Sequence, residues 1–226
     1  MPAEQRHSFQ ILSLSLVLGL AGAIASLLLL SWLTEEVLEG ETRQFDEVTR
    51  SAIHQVASPG LTTLMRGISF LGSTLFLTAL TVIVVLCFAI RRWRREAILF
   101  AITMVGAALL DITLKHTFHR ARPIPYFNIV APSSYSFPSG HALASFCFYG
   151  ALAAILTTRF KNVRSQIAIW SSAAIIILLI GFSRIYLGVH YTTDVLAGFA
   201  AALIWIIVVR FVEQQLALRR QRKRES

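Results

Sequence analysis

The chain alternates long apolar runs with short clusters of charged residues. Six runs contain almost no Asp, Glu, Lys or Arg: residues 8–34, 67–90, 97–114, 142–158, 165–183 and 195–209. Asp111 is the single such charge inside any of them. About 20 apolar residues in an α-helix cross the roughly 30 Å hydrocarbon core of a bilayer. The pattern therefore predicts an all-α integral membrane bundle of six transmembrane helices.

The first run, 8–34, has a competing interpretation as a cleaved signal peptide. Its apolar stretch continues through Leu30 to Leu33, which is longer than the apolar core of a signal peptide, about 7–15 residues. We therefore expect this segment to remain in the protein as a membrane anchor.

The basic residues predict the orientation of the bundle, because Lys and Arg stay on the cytoplasmic side during insertion. With the N-terminus inside, the inner segments hold 14 of the 21 Lys and Arg residues, including the run at 91–95 and the basic tail 210–226. We therefore expect both termini to face the cytoplasm.

The first outer segment, 35–66, is acidic at its start and becomes amphipathic after Val48. Ser58 followed by Pro59 is typical of a helix start, with Ser as cap and Pro in the first turn. A short interfacial helix leading into the second span and a plain loop are both compatible with this pattern. We hypothesise that the segment covers a site at the outer face.

Composition narrows the class further. Hydrophobic residues make up 55% of the 226 residues and charged residues only 15%, whereas a soluble domain carries about 25% charged residues. The mean hydropathy of +0.65 excludes an ordinary water-soluble globule. The net charge of +9 comes from clusters between the apolar runs, so we assign it to the membrane surface and expect no nucleic-acid partner.

Three polar clusters fall where this topology places the outer membrane face. The first runs from Lys115 to Pro123, the second is Pro138 to His141, and the third runs from Ser183 to Asp194. Charges so close to hydrocarbon are costly and indicate function.

The cations of these clusters predict an anion site. Lys115, Arg122 and Arg184 would together bind a multiply charged anion, most naturally phosphate. Ser139 and the backbone amides near Gly140 precede the fourth span, and a helix N-terminus offers N–H groups to an anion.

Two histidines and one carboxylate predict a two-step displacement. His190 and Asp194 are four residues apart, which places them on one face of a starting helix. Asp194 can fix the tautomer of His190 and leave the other ring nitrogen free to attack. His141 supplies a second imidazole that can act first as acid and then as base.

These clusters resemble the signature of the type 2 phosphatidic acid phosphatase (PAP2) superfamily, which includes bacterial membrane lipid phosphatases. Lys-x6-Arg-Pro, Pro-Ser-Gly-His and Ser-Arg-x5-His-x3-Asp occur in that order within residues 115–194, and every signature position is matched. Soluble vanadate-dependent haloperoxidases share the signature, but six hydrophobic spans argue against them.

The resemblance implies a phosphohistidine mechanism. His190 would attack phosphorus while Asp194 orients it, and His141 would protonate the leaving oxygen and then activate water. Five residues would hold the phosphoryl oxygens: Lys115, Arg122, Ser139, Gly140 and Arg184. We expect no metal ion and no other cofactor.

Two further charged residues lie beside the first cluster. Asp111 precedes Lys115 by four residues on one helix face, which predicts an ion pair. It either positions Lys115 for substrate or serves a purely structural role. Arg120 is a candidate auxiliary contact for phosphate or headgroup.

Span length predicts the depth of the site and the kind of substrate. The 15 residues between Asp194 and Arg210 span roughly 23 Å as a helix, which is shorter than the bilayer core. We therefore expect His190 and Asp194 at, or slightly below, the outer interface, where a lipid headgroup arrives sideways between helices.

We thus expect one domain, 1–226, that removes the terminal phosphate from membrane lipid phosphates or diphosphates. Candidate substrates are phosphatidylglycerol phosphate, phosphatidic acid and undecaprenyl diphosphate, and the location is a bacterial cytoplasmic membrane with the site facing outward. The alternative is a lipid or anion transporter or binding module, which explains the cations but gives no reason for two histidines and an aspartate.

Overall fold

The computed structural model describes the backbone of residues 3–130 and 132–225, and side chains within 21–130 and 132–219. Within these residues every regular element is an α-helix. There are eight: α1 (Ala3–Glu39), α2 (Arg43–Gln55), α3 (Pro59–Phe70), α4 (Thr74–Ile90), α5 (Arg94–Phe118), α6 (Gly140–Thr157), α7 (Val163–Tyr186) and α8 (Thr192–Glu225). The all-α prediction is confirmed.

Five helices of the described chain, α1, α5, α6, α7 and α8, are each long and apolar enough to cross a membrane. Helices α3 and α4, which are bent by 45° relative to each other, together make a sixth candidate crossing. The structure therefore agrees with the six apolar runs read from the sequence.

The second run, 67–90, is not one continuous helix as its apolar pattern predicts. Helix α3 ends at Phe70, and α4 begins after Ser73, whose hydroxyl accepts the N–H of Phe76. A Cβ on Gly72, inside the break, would lie 2.5 Å from a methyl carbon of Ile180 on α7. The break thus allows the chain to pass closely over α7, a tertiary requirement that the local pattern does not contain.

The segment 35–66, where a loop and a helix were both open, is mostly helical. It contains the end of α1, all of α2 and the first part of α3. The Ser58 cap is confirmed, because its hydroxyl accepts the N–H of Leu61 and Pro59 occupies the first turn.

Helix α8 is longer than the 15-residue span predicted for it. It continues through Arg210 into the basic tail and ends at Glu225. No Gly or Pro follows Gly198 in the sequence, so nothing local ends the helix where the apolar run stops.

Helix α6 occupies the middle of the bundle and packs against α4, α5, α7 and α8. Phe148 of α6 meets Phe100 of α5 edge-to-face at 5.2 Å between ring centroids. A Cβ on Gly198 would lie 2.7 Å from the carbonyl oxygen of Ser139. This close approach of small residues brings the first turns of α6 and α8 side by side, and the polar motifs lie at these helix starts.

Candidate active site

The three polar motifs converge at the end of the bundle that carries α2 and α3. The first motif runs from the last turn of α5 into the following segment, the second begins α6, and the third runs from the end of α7 to the start of α8. Together they surround a cavity of about 700 Å³. Seven of the ten predicted site residues line it: Asp111, Lys115, Arg122, Gly140, His141, Arg184 and His190.

His190 lies in the connection between α7 and α8 and is 1% exposed. Its Nδ1 is 3.3 Å from Oδ2 of Asp194. Because a carboxylate accepts hydrogen bonds, this contact places the ring hydrogen on Nδ1. Nε2 is then the unprotonated nitrogen, and it accepts a hydrogen bond from Nη1 of Arg122 at 3.0 Å. His190 thus presents a lone pair beside a guanidinium at the cavity wall.

The pKa of His190 is lowered to about 4, mainly by burial; the charges of Arg122 and Arg184 act in the same direction, while Asp194 opposes the change. The imidazole therefore stays neutral far below the usual histidine pKa of about 6.5. A neutral ring is the form that can attack an electrophile.

Asp194 is fully buried in the first turn of α8. Its Oδ2 accepts the Tyr191 N–H at 2.9 Å, an arrangement that caps the helix start. Ser136 donates its hydroxyl to the same oxygen at 2.5 Å, while Oδ1 accepts from Arg120 at 2.6 Å. The carboxylate is therefore held from four sides, counting His190, and its orientation is fixed.

Arg120, the candidate phosphate contact, lies behind Asp194 and does not line the cavity. Its guanidinium bridges two buried carboxylates, donating from Nη1 to Asp194 and from Nη2 to Asp46 at 2.8 Å. Burial alone would lower the pKa of Arg120, but these two carboxylates outweigh it and raise the pKa. Both terminal nitrogens of the guanidinium are thus paired with carboxylates, and a contact of Arg120 with phosphate or headgroup stays a prediction.

Arg122 is fixed at the cavity edge by backbone acceptors. Nε donates to the carbonyl oxygen of Ser134 at 2.7 Å, and Nη1 donates to that of Val189 at 2.9 Å. Burial lowers the pKa of Arg122, although Asp194 and Asp111 oppose the change. The side chain is held in place yet carries no direct carboxylate partner within the described residues, so its charge is available to an anion.

The predicted ion pair between Asp111 and Lys115 is confirmed, with Nζ 2.8 Å from Oδ2. The pair lies against the start of α6. A Cβ on Gly140 would be 2.8 Å from Oδ1 of Asp111 and 3.0 Å from Nζ of Lys115. A residue larger than glycine at 140 would therefore displace the pair.

Arg184 approaches the cavity from α7 and is held by Ser69 of α3, whose Oγ accepts from Nη1 at 2.5 Å. Ser139 is the cap residue of α6, and its N–H donates to the carbonyl oxygen of Asp194 at 2.9 Å. His141 follows in the first turn of α6 and lines the cavity.

Unpaired buried polar atoms concentrate at this site. In the part of the chain that the structure describes, five buried side-chain atoms have no hydrogen-bond partner. Three belong to predicted site residues: Oδ1 of Asp111, Oγ of Ser139 and Nε of Arg184. Such atoms are rare in folded proteins and indicate a place where a ligand completes the hydrogen bonding.

Four residues around the site were missed by the sequence reasoning: Asp46, Ser69, Ser136 and Thr193. The side chain of each contacts a motif residue, but around Ser69, Ser136 and Thr193 the sequence contains no pattern that indicates this contact. A signal exists for Asp46 alone, because Asp46, Arg50 and Ile53 share one face of the amphipathic α2 and the first two are buried. The described residues contain no group of three His, Cys, Asp or Glu side chains that could share a metal ion.

The fold and the site define a class of protein: helical membrane proteins with a histidine–aspartate pair beside a cation-lined cavity. The family follows from comparison with known sequences: the PAP2 superfamily model matches residues 96–216. The chain belongs to this superfamily of phosphatases.

Similar proteins agree with this assignment. The chain is 33% identical over 178 residues to phosphatidylglycerophosphatase B of Bacillus subtilis, covering 78% of this chain and 87% of that protein. It is 34% identical over 113 residues to an undecaprenyl-diphosphatase of Sulfolobus acidocaldarius, covering 48% of this chain and 50% of that protein. Its fold is similar to the crystal structure of a transmembrane PAP2-type phosphatidylglycerolphosphate phosphatase from Bacillus subtilis, with a TM-score of 0.79, 30% identity, and coverage of 85% of this chain and 96% of that one.

Proposed function

We propose that this protein removes the terminal phosphate from membrane lipid phosphates or diphosphates through a phosphohistidine intermediate. The observation that carries the proposal is the lone pair of His190 Nε2 at the wall of the cation-lined cavity. Its partner Asp194 fixes the tautomer that leaves Nε2 free. A nucleophile oriented by a third group is the arrangement that covalent catalysis requires.

In the first step, Nε2 of His190 attacks phosphorus as the bond from phosphorus to the lipid oxygen breaks. His141 donates a proton to that oxygen, and the lipid leaves as an alcohol or a monophosphate. In the second step, His141 takes a proton from water, whose oxygen attacks phosphorus and displaces Nε2. Inorganic phosphate is released, and both imidazoles return to their starting states.

The cations stabilise the charge that develops on the equatorial oxygens. Lys115, Arg122 and Arg184 line the cavity, and Arg122 exchanges its contact with Nε2 for a phosphoryl oxygen when substrate binds. The unpaired Oγ of Ser139 and Nε of Arg184 find partners on the same phosphoryl group. Fixed charges in a water-poor site need no reorganisation during the reaction.

The apolar part of the cavity supports a lipid as the substrate. The lining follows α4 from Thr74 to Val82 and α5 from Met104 to Ile112, a length of roughly 12 Å. Val82 and Val105 along this lining are 54% and 61% exposed, so the groove opens sideways between α4 and α5. A headgroup can bind among the cations while its chains remain in the hydrocarbon.

We further propose that the whole chain acts as one domain in a bacterial cytoplasmic membrane, with the cavity facing outward. The α4–α5 and α6–α7 connections, the helix starts that follow them and the tail 210–226 lie at the end opposite α2 and carry 13 of the 21 Lys and Arg residues. Relatives named for phosphatidylglycerophosphate and undecaprenyl diphosphate make these lipids, together with phosphatidic acid, the substrates to test.

The test is phosphate release by purified protein in detergent, with EDTA present, from these three lipids. His190→Ala removes the nucleophile, and His116→Ala is the matched control, since His116 is exposed and does not line the cavity. We expect release by the wild type and by the control, and none by His190→Ala. Full activity in His190→Ala would exclude the phosphohistidine, and a folded wild type without activity on any lipid would favour the transporter or binding module.

A further inference from the structure

Asp46 is the one carboxylate that α2 buries completely, although this helix lies outside the membrane-spanning helices. Its Oδ1 accepts the backbone N–H of Thr193 at 3.0 Å, and its Oδ2 accepts the hydroxyl of Thr193 at 2.7 Å. Oδ2 also accepts from Nη2 of Arg120 at 2.8 Å. All three contacts thus reach residues next to Asp194: Thr193 precedes it in the chain, and Arg120 forms an ion pair with it.

The backbone contact fixes the start of α8. The first N–H groups of a helix lack partners within the helix and need an acceptor from elsewhere. Asp194 satisfies the Tyr191 N–H from within α8, and Asp46 satisfies another of these donors, the Thr193 N–H, from α2. The first turn of α8, which contains Asp194, is therefore held in place by a hydrogen bond to Asp46 of α2.

The side-chain contacts connect Asp46 to Asp194 through a shared cation, Arg120. Arg120 is shared between Asp46 and Asp194, so one positive charge is divided between two buried carboxylates. Asp194 consequently keeps enough negative charge to stabilise His190 as it becomes positive on bonding to phosphorus. Without the charge of Asp46, the full charge of Arg120 would act on Asp194 and weaken this support.

We propose that Asp46 is a positioning residue for the His190–Asp194 pair, acting through Arg120 and Thr193. This inference rests on the proposed function. It gives α2 a defined role: α2 holds Asp194, and through it the nucleophile His190, from the side away from the cavity. The described residues of segment 35–66 form none of the cavity wall, so the segment acts on catalysis without touching the substrate.

The test variant is Asp46→Asn, which keeps the size and one acceptor oxygen but removes the charge. The matched control is Glu41→Gln, the same change at an exposed position just before α2. A misplaced reactive group costs about 100-fold in rate, so we expect kcat to fall about 10- to 100-fold in Asp46→Asn with KM changed less than about threefold. Glu41→Gln should behave as the wild type.

Inhibition distinguishes positioning from a general loss of structure. Inhibition by inorganic phosphate measures anion binding in the cation-lined cavity. Orthovanadate adopts the five-coordinate geometry of the transition state, so its inhibition also depends on a correctly placed Nε2. We expect Asp46→Asn to weaken inhibition by vanadate by about the same factor as kcat and to leave inhibition by phosphate unchanged. Equal loss of both, or an unchanged kcat, would overturn the inference.

Thr193→Val provides an independent variant of nearly the same shape. It removes the hydroxyl that links Asp46 to Arg120 and leaves the backbone contact in place. We expect the same pattern of lower kcat and weaker vanadate inhibition, so the inference is decided even if Asp46→Asn does not fold. Wild-type kinetics in Thr193→Val would overturn it, whereas a wild type that releases no phosphate would overturn the proposed function as well.

Discussion

At the scale of single residues, the ion pair of Asp111 with Lys115 leads to a prediction about anion binding. It holds Nζ of Lys115 at 2.8 Å on the wall of the cavity. Asp111→Asn keeps the shape but loosens Lys115, so we expect kcat/KM for phosphate release to fall about tenfold, the cost of weakening one charge-assisted hydrogen bond. Unfolding temperature in detergent is the control. Unchanged turnover would leave only a structural ion pair.

The lowered pKa of His190 predicts an unusual acid limit for the reaction. His190 must be neutral to attack, and its pKa lies near 4 in the folded protein. Activity should therefore persist from neutral pH down to about pH 4 to 5 and fall only below that range. The measurement is kcat/KM against pH, with rates expressed per concentration of the phosphate dianion. An acid limb near pH 6.5 would show instead that His190 titrates as if exposed.

The same pKa sets a direction for stability. The unfolded chain binds a proton at His190 near its ordinary pKa of about 6.5, whereas the folded chain binds it only near 4. The contribution of this residue to the free energy of unfolding is therefore complete above about pH 6.5 and is lost as the pH falls toward 4.

The sequence identifies the candidate catalytic residues more readily than the residues that hold them in place. Spacing alone places His190 and Asp194 on one turn, and the ion pair of Asp111 and Lys115 follows from the same rule. Arg120 shows the limit, because its partner Asp46 is 74 residues distant in the chain. Whether a guanidinium faces substrate or a buried carboxylate is decided by tertiary packing, which no local pattern contains.

At the scale of helices, α4 and α5 form the groove assigned to the lipid chains. Ala108→Trp on α5 would fill the groove, and Leu109→Trp is the matched control, since Leu109 is 60% exposed and does not line the cavity. We expect Ala108→Trp to slow the hydrolysis of long-chain phosphatidic acid about tenfold or more, by excluding chains from their place. A short-chain, water-soluble analogue should be hydrolysed at nearly the wild-type rate. Equal slowing of both substrates would contradict the assignment of the groove.

The apolar pattern predicts where the membrane-spanning helices lie, but it does not predict where they break or end. It locates every candidate crossing of the described chain, because a bilayer requires a long apolar segment. It misses the break at Gly72 and the extension of α8 beyond Arg210, since one depends on contact with Ile180 and the other on the absence of a stop signal. The helix that the pattern left open, beginning at Ser58 and Pro59, is α3. The pattern does not single out α2 as a separate helix, because burial of one of its faces depends on partners from α7 and α8.

At the scale of the whole molecule, the proposed orientation can be tested by cysteine labelling. Glu41→Cys lies at the α2 end and Lys161→Cys in the α6–α7 connection, both at exposed positions. In a background of Cys87→Ser and Cys147→Ala, a membrane-impermeant maleimide should label position 41 in intact cells and position 161 only after lysis. The reverse pattern would place the cavity on the cytoplasmic side.

The sideways opening between α4 and α5 has a consequence for how the enzyme meets its substrate. A molecule that enters through the groove comes from the plane of the membrane. The concentration that governs its binding is therefore its mole fraction among the membrane lipids and not its bulk concentration. Dilution with inert phospholipid or detergent at constant bulk concentration then slows turnover, and saturation is expressed per unit of surface. The cell can therefore regulate such a reaction through the composition of one leaflet.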